Sequence, residues 1–347
     1  MLLFTFSVAA KEDNKPKLPD ELQHVADLAE AAPPEFTSDA LLRIGAVAKV
    51  DKSLRIELIE RAFHLAMSAE FASPLKLARP ATDTLESMTV AASKLGLDRL
   101  SLQIRAVNQM LPLDPKAART LFLQIEPPEA PSCTQPILPD AGPLYSSLIP
   151  LAGAVFPPDE RDGVVVRLNG ALQSAQPSGC DAASTASPAT TVLWNSDAAK
   201  RIYEHALKLR NGDDGATPRS AAQRSTPEWF QQLTDFLSAL GGWSPSDEKS
   251  EAIYYHEKAV VYEMLVELTP PGRERDRLIQ SCVDFMARSN LQQDRPVEWF
   301  FHSRTLIERL RNSSSADVPK ILAAFENSGN PVLLLYAALD KAGLPAQ

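Results

Sequence analysis

Two amphipathic segments near the N-terminus follow one another with almost no chain between them. Residues 36–50 and 52–70 each place their apolar side chains on one face at the spacing of an α-helix. A connection of about two residues allows two helices to pack only as an antiparallel hairpin. Thr37 or Ser38 is placed to cap the first helix, and Asp51 is placed to cap the second. The sequence therefore predicts a helix pair here.

A second abrupt connection lies in "MLPLDPKAARTLF", residues 110–122, where one helix ends and another begins at once. Asp114 can accept hydrogen bonds from the first free amides of the new helix. Pro115 suits the first helical position, where its missing N–H would have no partner in any case. Asn330-Pro331 repeats the arrangement near the C-terminus. The chain thus restarts helices more than once.

The rest of the chain divides by composition into three parts. Residues 20–126 carry helix pairs, residues 127–191 are rich in Pro and Ser around two further helices near 143–156 and 158–175, and residues 192–345 return to dense helical patterns. The run "DGVVVRL" at 162–168 is the one candidate strand. We therefore predict an all-α fold of antiparallel helix pairs, stacked as an irregular α-solenoid or α-α superhelix. The predicted C-terminal helices cover 192–210, 227–240, 249–269, 273–289, 296–312, 315–328 and 330–342.

The charge balance argues against partners that attract basic proteins. The 347 residues carry a formal net charge of −9, which does not favour binding to nucleic acid or to an anionic membrane surface. The densest basic run, "GRERDRL" at 272–278, alternates in sign and is expected to form a solvated helix face. No stretch approaches the roughly 20 apolar residues that span a bilayer. We predict no nucleic-acid partner and no transmembrane segment, and the oligomeric state stays open.

The first ten residues and the cysteines bear on the compartment. "MLLFTFSVAA" at 1–10 is apolar, ends in small residues and precedes a polar segment, as the end of a secretory signal peptide does. We expect export to the periplasm or the extracellular space, with a cytoplasmic location as the alternative. In an exported protein Cys133 and Cys180 are the natural disulfide pair, whereas in a cytoplasmic protein these two and Cys282 should all be free thiols.

The catalytic and metal-binding motifs that we tested are incomplete. His256-Glu257 begins a zinc-protease pattern, but Val260 stands where the second histidine is needed. "NGDDG" at 211–215 would start a calcium loop, but Ala222 stands where glutamate is required. A G-x-S-x-G nucleophile elbow and a phosphate-binding glycine loop are both missing. The sequence predicts no catalytic residue, no metal and no cofactor.

Carboxylates in the C-terminal part are the best candidates for a polar cluster. They are Glu257, Glu263, Glu267 and Glu298. Glu263 and Glu267 are four residues apart and share one face of a helix. Since the chain has 44 acidic residues, such spacings arise readily by chance. A solvated stripe is therefore the favoured interpretation.

Aromatic side chains are concentrated in two C-terminal segments, "YYHEKAVVY" at 254–262 and "PVEWFFHSR" at 296–304. Tyr254, Trp299 and Phe300 are expected in the core, as most aromatic residues of helical proteins are. The alternative is a groove that holds a peptide or a sugar, because aromatic rings anchor both, with an arginine available for an acidic group of the ligand. The predicted lining residues are Tyr255, His256, Trp299, His302 and Arg304.

The junction "AVNQMLPLDPKAARTLF" at 106–122 resembles the point at which tetratricopeptide repeats and related α-solenoid repeats pass from one helix to the next through "L-D-P-x-x-A". This resemblance implies stacked helix pairs. The layout of helix pairs, an export-like start and a "PPGRERD" turn is also similar to helical proteins of soil bacteria. That second comparison supplies no activity to infer.

Three functions stay open from the sequence. The leading hypothesis is a non-catalytic helical scaffold that binds a protein or peptide partner, because helix pairs recur and each catalytic motif that we tested fails. The second is a hydrolase of the helical-barrel type that acts on a polymer through paired carboxylates. Two inward carboxylates about 5–10 Å apart in an aromatic-lined cleft would favour the hydrolase. The third is a structural component of an envelope assembly.

Overall fold

The computed structural model is built from α-helices. It describes residues 16–77, 84–126, 137–174, 248–288, 296–313 and 315–344, with a few positions between 231 and 238. Thirteen α-helices lie within these residues, which confirms the predicted all-α fold. They are α1 (Asp20–Ala29), α2 (Pro34–Gly45), α3 (Lys52–Ala66), α4 (Thr84–Ser93), α5 (Arg99–Met110), α6 (Pro115–Leu123), α7 (Ala141–Val155), α8 (Pro158–Ser174), α9 (Glu248–Leu268), α10 (Arg273–Arg288), α11 (Pro296–Ser313), α12 (Val318–Glu326) and α13 (Pro331–Lys341).

Several sequence predictions fall outside the described residues. They are the signal-like segment at 1–10, the helix at 192–210, most of the helix at 227–240, and the Cys133–Cys180 pair. These stay predictions. The stacking of the helix pairs into a regular solenoid or superhelix, and the division of the chain into three parts, also stay predictions.

The helix starts that the sequence marks with a capping residue are confirmed. Asp51 accepts a hydrogen bond at 2.8 Å from the amide two residues further on, at the start of α3. Asp114 accepts from the amides two and three residues on, at 2.9 and 3.0 Å, and Pro115 takes the first position of α6. Asn330 makes the equivalent bonds at 3.0 and 3.1 Å, with Pro331 opening α13. Both helix restarts therefore form through side-chain caps.

The start of α2 differs from the prediction. This helix begins at Pro34, a residue suited to the first position, so Thr37 and Ser38 lie inside it and do not cap it. Thr37 Oγ1 instead donates to the carbonyl of Ala29 at 2.7 Å, and Ser38 Oγ donates to the carbonyl of Ala62 at 2.8 Å. The two hydroxyls therefore tie α2 to α1 and to α3.

A short antiparallel pair of strands accompanies the helices. It joins β1 (Leu75–Leu77) to β2 (Ile137–Pro139). The helix predicted near 158–175 is confirmed as α8, and the candidate strand at 162–168 is wrong because these residues lie within that helix. That helix opens with Pro158 and two acidic residues, which suit a helix N-terminus. The valines of the run lower helix propensity only slightly, so the favourable start decides the conformation.

Helix α2 lies where two hydrophobic cores meet. Its residues Phe36, Ala40 and Ile44 belong to a core shared with α1 and with α9 to α13. Leu41 and Leu42 belong to a second core, shared with α3 and with α5 to α8. A helix that is apolar on more than one face is expected to be buried among other elements. α2 thus connects the N-terminal helices to the C-terminal helices.

The two ends of the described chain contact each other. α1 packs against α13, and a guanidinium nitrogen of Arg43 donates to the carbonyl of Leu344 at 3.3 Å. These contacts and the core shared through α2 hold the C-terminal helices in place against the N-terminal ones. Among the residues described, no helix is both long enough and apolar enough to cross a membrane.

Candidate functional site

Helices α9 and α11 pack side by side and run in the same direction. Their contacts show the direction, because His256 lies beside His302 and, further along both helices, Glu267 lies beside Arg309. Equivalent positions therefore face each other at each turn. A parallel pair of this kind can hold a row of side chains in line along its length.

Five polar side chains form a continuous row between α9 and α11, which we call the polar ladder. His256 Nδ1 lies 2.9 Å from His302 Nε2, and His302 Nδ1 lies 3.1 Å from Glu263 Oε1. The Nε of Arg309 lies 3.5 Å from Glu263 Oε2, and its Nη1 donates to Glu267 Oε2 at 2.9 Å. The ladder is therefore a chain of two imidazoles, a carboxylate, a guanidinium and a second carboxylate.

The ladder is most enclosed at its centre. His302 is 2% exposed and Glu263 is 1% exposed, whereas His256, Glu267 and Arg309 are half-buried. A buried carboxylate is tolerated when a cation and hydrogen-bond donors surround it, and Glu263 has both. The expected solvated stripe is therefore wrong at Glu263.

Glu298 is a second buried carboxylate on α11. It is 3% exposed, and the hydroxyl of Thr89 on α4 donates to its Oε1 at 3.0 Å. The solvated stripe is wrong here as well, because α4 covers this part of α9 and α11. The side chain of Glu257 lies outside what the structure describes.

Cys282 of α10 lies near the ladder as a free, fully buried thiol. Burial raises the pKa of this thiol well above its ordinary value, and the carboxylate of Glu263 raises it further. A thiol in such surroundings is protonated at neutral pH and is a poor nucleophile. Cys282 therefore acts as a small apolar residue of the core.

Half-buried rings on α9 and α10 lie beside the ladder and form what we call the aromatic stripe: Tyr255, Tyr262 and Phe285. All three pack against the core and keep part of their surface exposed. The ring centroid of Phe285 lies 5.6 Å from that of Tyr255 and 5.8 Å from that of Tyr262. The Nζ of Lys258 lies 5.0 Å from the Phe285 centroid, within the range of a cation–π contact. The stripe therefore presents aromatic surface and one cation together.

Trp299 of α11 connects the stripe to the ladder. Its centroid lies 6.4 Å from Tyr255, 5.8 Å from Phe285 and 5.7 Å from His302. Trp299 is buried, as are Tyr254 and Phe300, which confirms the expectation that these three rings belong to the core. Only the ring of Trp299 separates the polar ladder from the aromatic stripe.

The structure brings four of the five predicted lining residues into this cluster. Tyr255 and His256 are half-buried, and Trp299 and His302 are buried. Arg304 lies on α11 and pairs with Glu308 at 2.7 Å. Ligand binding by these residues stays a prediction.

The sequence prediction includes Glu263 and Glu267 without connecting them to the histidines, and it does not include Arg309. A signal was present in the spacing. His256 and Glu263 are seven residues apart, and so are His302 and Arg309. Residues at this spacing lie on the same face two turns apart, so two helices with matched pairs can build a row of contacts.

A buried ion pair also corrects the expectation for the basic run at 272–278. Arg275 Nε lies 3.0 Å from Asp317 Oδ2, and both side chains are 3% exposed. Arg273 and Arg277 are exposed, as expected for a solvated face. One arginine of this run, Arg275, is therefore buried, and it links α10 to the start of α12.

A small pocket is lined by Trp299 together with Met286, Ser303 and Leu333. Its volume is about 10 Å³, room for about one water molecule and far below the roughly 300–1,000 Å³ typical of small-molecule sites. Within the described part of the chain, no group of three or more His, Cys, Asp or Glu side chains is placed to hold a metal ion.

The chain matches no protein-family model, no curated protein and no solved structure. The class that the structure defines is therefore a fold class, an all-α protein whose many helices pack against their neighbours. This packing is consistent with a helical-repeat fold. The narrower resemblance to tetratricopeptide repeats has no support from the comparisons.

Proposed function

We propose that this protein is a non-catalytic helical scaffold that binds a protein or peptide partner through the aromatic stripe. The observation that carries the proposal is the row of half-exposed rings at Tyr255, Tyr262 and Phe285. Large rings that are held rigidly by a core give contact area at little entropic cost, and they are frequent anchors of protein interfaces.

The chemistry of the stripe favours a peptide as the ligand. Burial raises the pKa of Tyr255 and of Tyr262, with smaller contributions from neighbouring groups, so both hydroxyls stay protonated at neutral pH. A protonated phenol can donate a hydrogen bond to a peptide carbonyl. Lys258, held over the rings, offers a positive charge to an acidic residue of the same peptide.

The other functions proposed from the sequence have weaker support. A hydrolase would use inward carboxylates, but the buried Glu263 and Glu298 already have partners in His302 and Thr89. A structural role in an envelope assembly, and export itself, rest on the segment at 1–10, which lies outside the described residues. N-terminal sequencing of the protein from its own host tests export, and an intact Met1 on a cytoplasmic protein would contradict it.

A peptide selection tests the proposed function. Peptides are selected from a random displayed library against the full chain, and their dissociation constants are measured for the wild type and for the double variant Tyr255→Ser/Tyr262→Ser. We expect at least about a tenfold weaker affinity in the double variant, because two anchors are lost. Val166→Ser is the matched control, since Val166 is 71% exposed on α8, away from the stripe. Equal affinity for wild type and double variant would contradict the proposal.

A further inference from the structure

We infer that the His256–His302 pair is a pH-sensitive contact between α9 and α11. The contact holds the two helices together near neutral pH and weakens when both imidazoles take up a proton. The inference depends on the polar ladder alone. It can therefore be tested independently of peptide binding by the aromatic stripe.

The geometry of the pair limits how many protons it can hold. A hydrogen bond between two ring nitrogens needs one N–H and one lone pair. His256 Nδ1 and His302 Nε2 are 2.9 Å apart, so at least one of them carries no proton. His302 Nδ1 faces the carboxylate of Glu263 and donates to it. One added proton leaves the bond between the rings intact, but a second would place two N–H groups face to face.

The net charge of the ladder also favours one added proton on the histidine pair over two. Glu263 and Glu267 supply two negative charges and Arg309 supplies one positive charge, so the ladder without its histidines carries one net negative charge. A single imidazolium balances this charge. A second imidazolium leaves an excess positive charge in a partly buried row, which is unfavourable.

Other titratable and charged groups on α4, α9, α10 and α11 do not change the number of protons that the His256–His302 pair can hold. They include Lys258 of α9, Cys282 of α10, Glu298 and Arg304 of α11, and Glu86 of α4. Carboxylates near an imidazole favour its protonated form, but they do not separate two facing N–H groups. Lys258 lies over Phe285, and Arg304 pairs with Glu308. Cys282 stays a neutral thiol because burial raises its pKa.

An unfolded chain has no such limit, since each histidine there takes up a proton near the ordinary pKa of about 6.5. Below about pH 6 the unfolded chain therefore binds about one proton more at these two residues than the folded chain does. Stability rises with pH wherever the unfolded state binds more protons, so it falls here as the pH falls. One proton corresponds to about a tenfold change in the unfolding equilibrium constant per pH unit.

Urea unfolding of the full chain between pH 7.5 and 4.5 tests the inference. His256→Gln is the informative variant, because glutamine can still bond to His302 but takes up no proton. We expect the unfolding constant of the wild type to rise between pH 6 and 5 about tenfold more per pH unit than that of His256→Gln. His64→Gln is the control, since His64 is an exposed histidine on α3, and it should keep the wild-type slope. Equal slopes for wild type and His256→Gln would overturn the inference.

A measurement on the wild type covers the case in which His256→Gln does not fold. Nitrogen-15 spectra of the five histidines report each ring as the pH is lowered. Two rings that share one proton and titrate in two separated steps would support the pH-sensitive contact. Five rings that titrate independently near pH 6.5 would overturn it.

Discussion

The N-terminal and C-terminal parts of the molecule each bury a carboxylate between helices, but they surround it differently. Asp39 of α2 contacts Arg43 at 2.7 Å and Arg105 of α5 at 2.5 Å. Glu263 of α9 contacts one arginine and one histidine, Arg309 and His302. An arginine keeps its charge at any pH relevant to a protein, whereas a histidine gains or loses its charge near neutrality. On the inference drawn above, the cluster around Asp39 is insensitive to pH near neutrality and the cluster around Glu263 is sensitive to it.

The titration of Asp39 follows from this arrangement. Burial raises its pKa, but the guanidinium groups of Arg105 and Arg43 outweigh burial and hold the pKa below its ordinary value of 3.8. A carboxyl group with a lowered pKa contributes stability that is lost only as the pH falls through that lowered value. Between pH 5 and 8 the contribution of Asp39 is constant, and pH dependence in this range must come from other groups.

The largest effect is expected for Asp39→Asn. The change leaves two arginines beside a neutral amide in a buried site, and we expect the free energy of unfolding to fall by about 3 kcal/mol. Urea unfolding at pH 7 measures this loss. Glu30→Gln is the control, because the pair of Glu30 with Arg61 is exposed on both sides and should contribute little. Equal effects of the two changes would show that the Asp39 cluster does not hold α2 to α5.

Asp98→Asn is expected to stabilise the protein, with a pH dependence opposite to that of the ladder. Burial raises the pKa of Asp98 from 3.8 to about 6, against hydrogen bonds from Ser101 that lower it. A raised carboxyl pKa means that stability is present in full below pH 4 and is lost as the pH rises to about 6. Asparagine caps a helix equally well and carries no charge, so we expect a gain of about 2 kcal/mol at pH 7.

Unfolding measured at several pH values checks this second prediction. The advantage of Asp98→Asn should shrink steadily as the pH is lowered from 6 to 4. Asp51→Asn is the matched control, because Asp51 caps α3 in an exposed position and should bring no gain. A constant difference between Asp98→Asn and wild type across the pH range would contradict the buried charge as its cause.

The smallest effects are expected at the two helix restarts, where the two parts of the molecule should behave alike. Asn330→Ala removes the cap of α13 and should lower the free energy of unfolding by about 1 kcal/mol. Asp114→Ala removes the cap of α6 and should also lower the urea midpoint. Asn330→Ser and Asp114→Ser keep a capping oxygen and should restore most of each loss. An unchanged midpoint in either alanine variant would mean that the cap does not stabilise that helix.

Much of the fold could be predicted because its signals are local. Helix periodicity and capping residues lie within a few positions of each other, and Asp51, Asp114 and Asn330 all cap the helices that the sequence assigned to them. The predicted cap at Thr37 is wrong because Pro34 is an equally good helix start, and only the contact of Thr37 with Ala29 decides between them.

The candidate site was less predictable because its contacts join distant segments. His256 and His302 are 46 positions apart, and nothing local says that α9 and α11 run side by side. The burial of Glu263 depends on that packing, and that of Glu298 depends on α4 as well. Charge alone favours a solvated face for such residues, so a sequence pattern cannot show that they are enclosed.

The central claim is that stability lost on acidification from pH 7.5 to 5.5 comes from the part that contains histidine in its buried cluster, since protonation of Asp98 in the N-terminal part acts in the opposite direction. Hydrogen exchange of backbone amides at pH 7.5 and pH 5.5, corrected for the intrinsic pH dependence of exchange, tests this claim most directly. We expect α9 and α11 to lose protection at pH 5.5 while α2 and α5, held by Asp39 and Arg105, keep theirs. Unchanged protection in α9 and α11, or an equal loss in all four helices, would contradict the account.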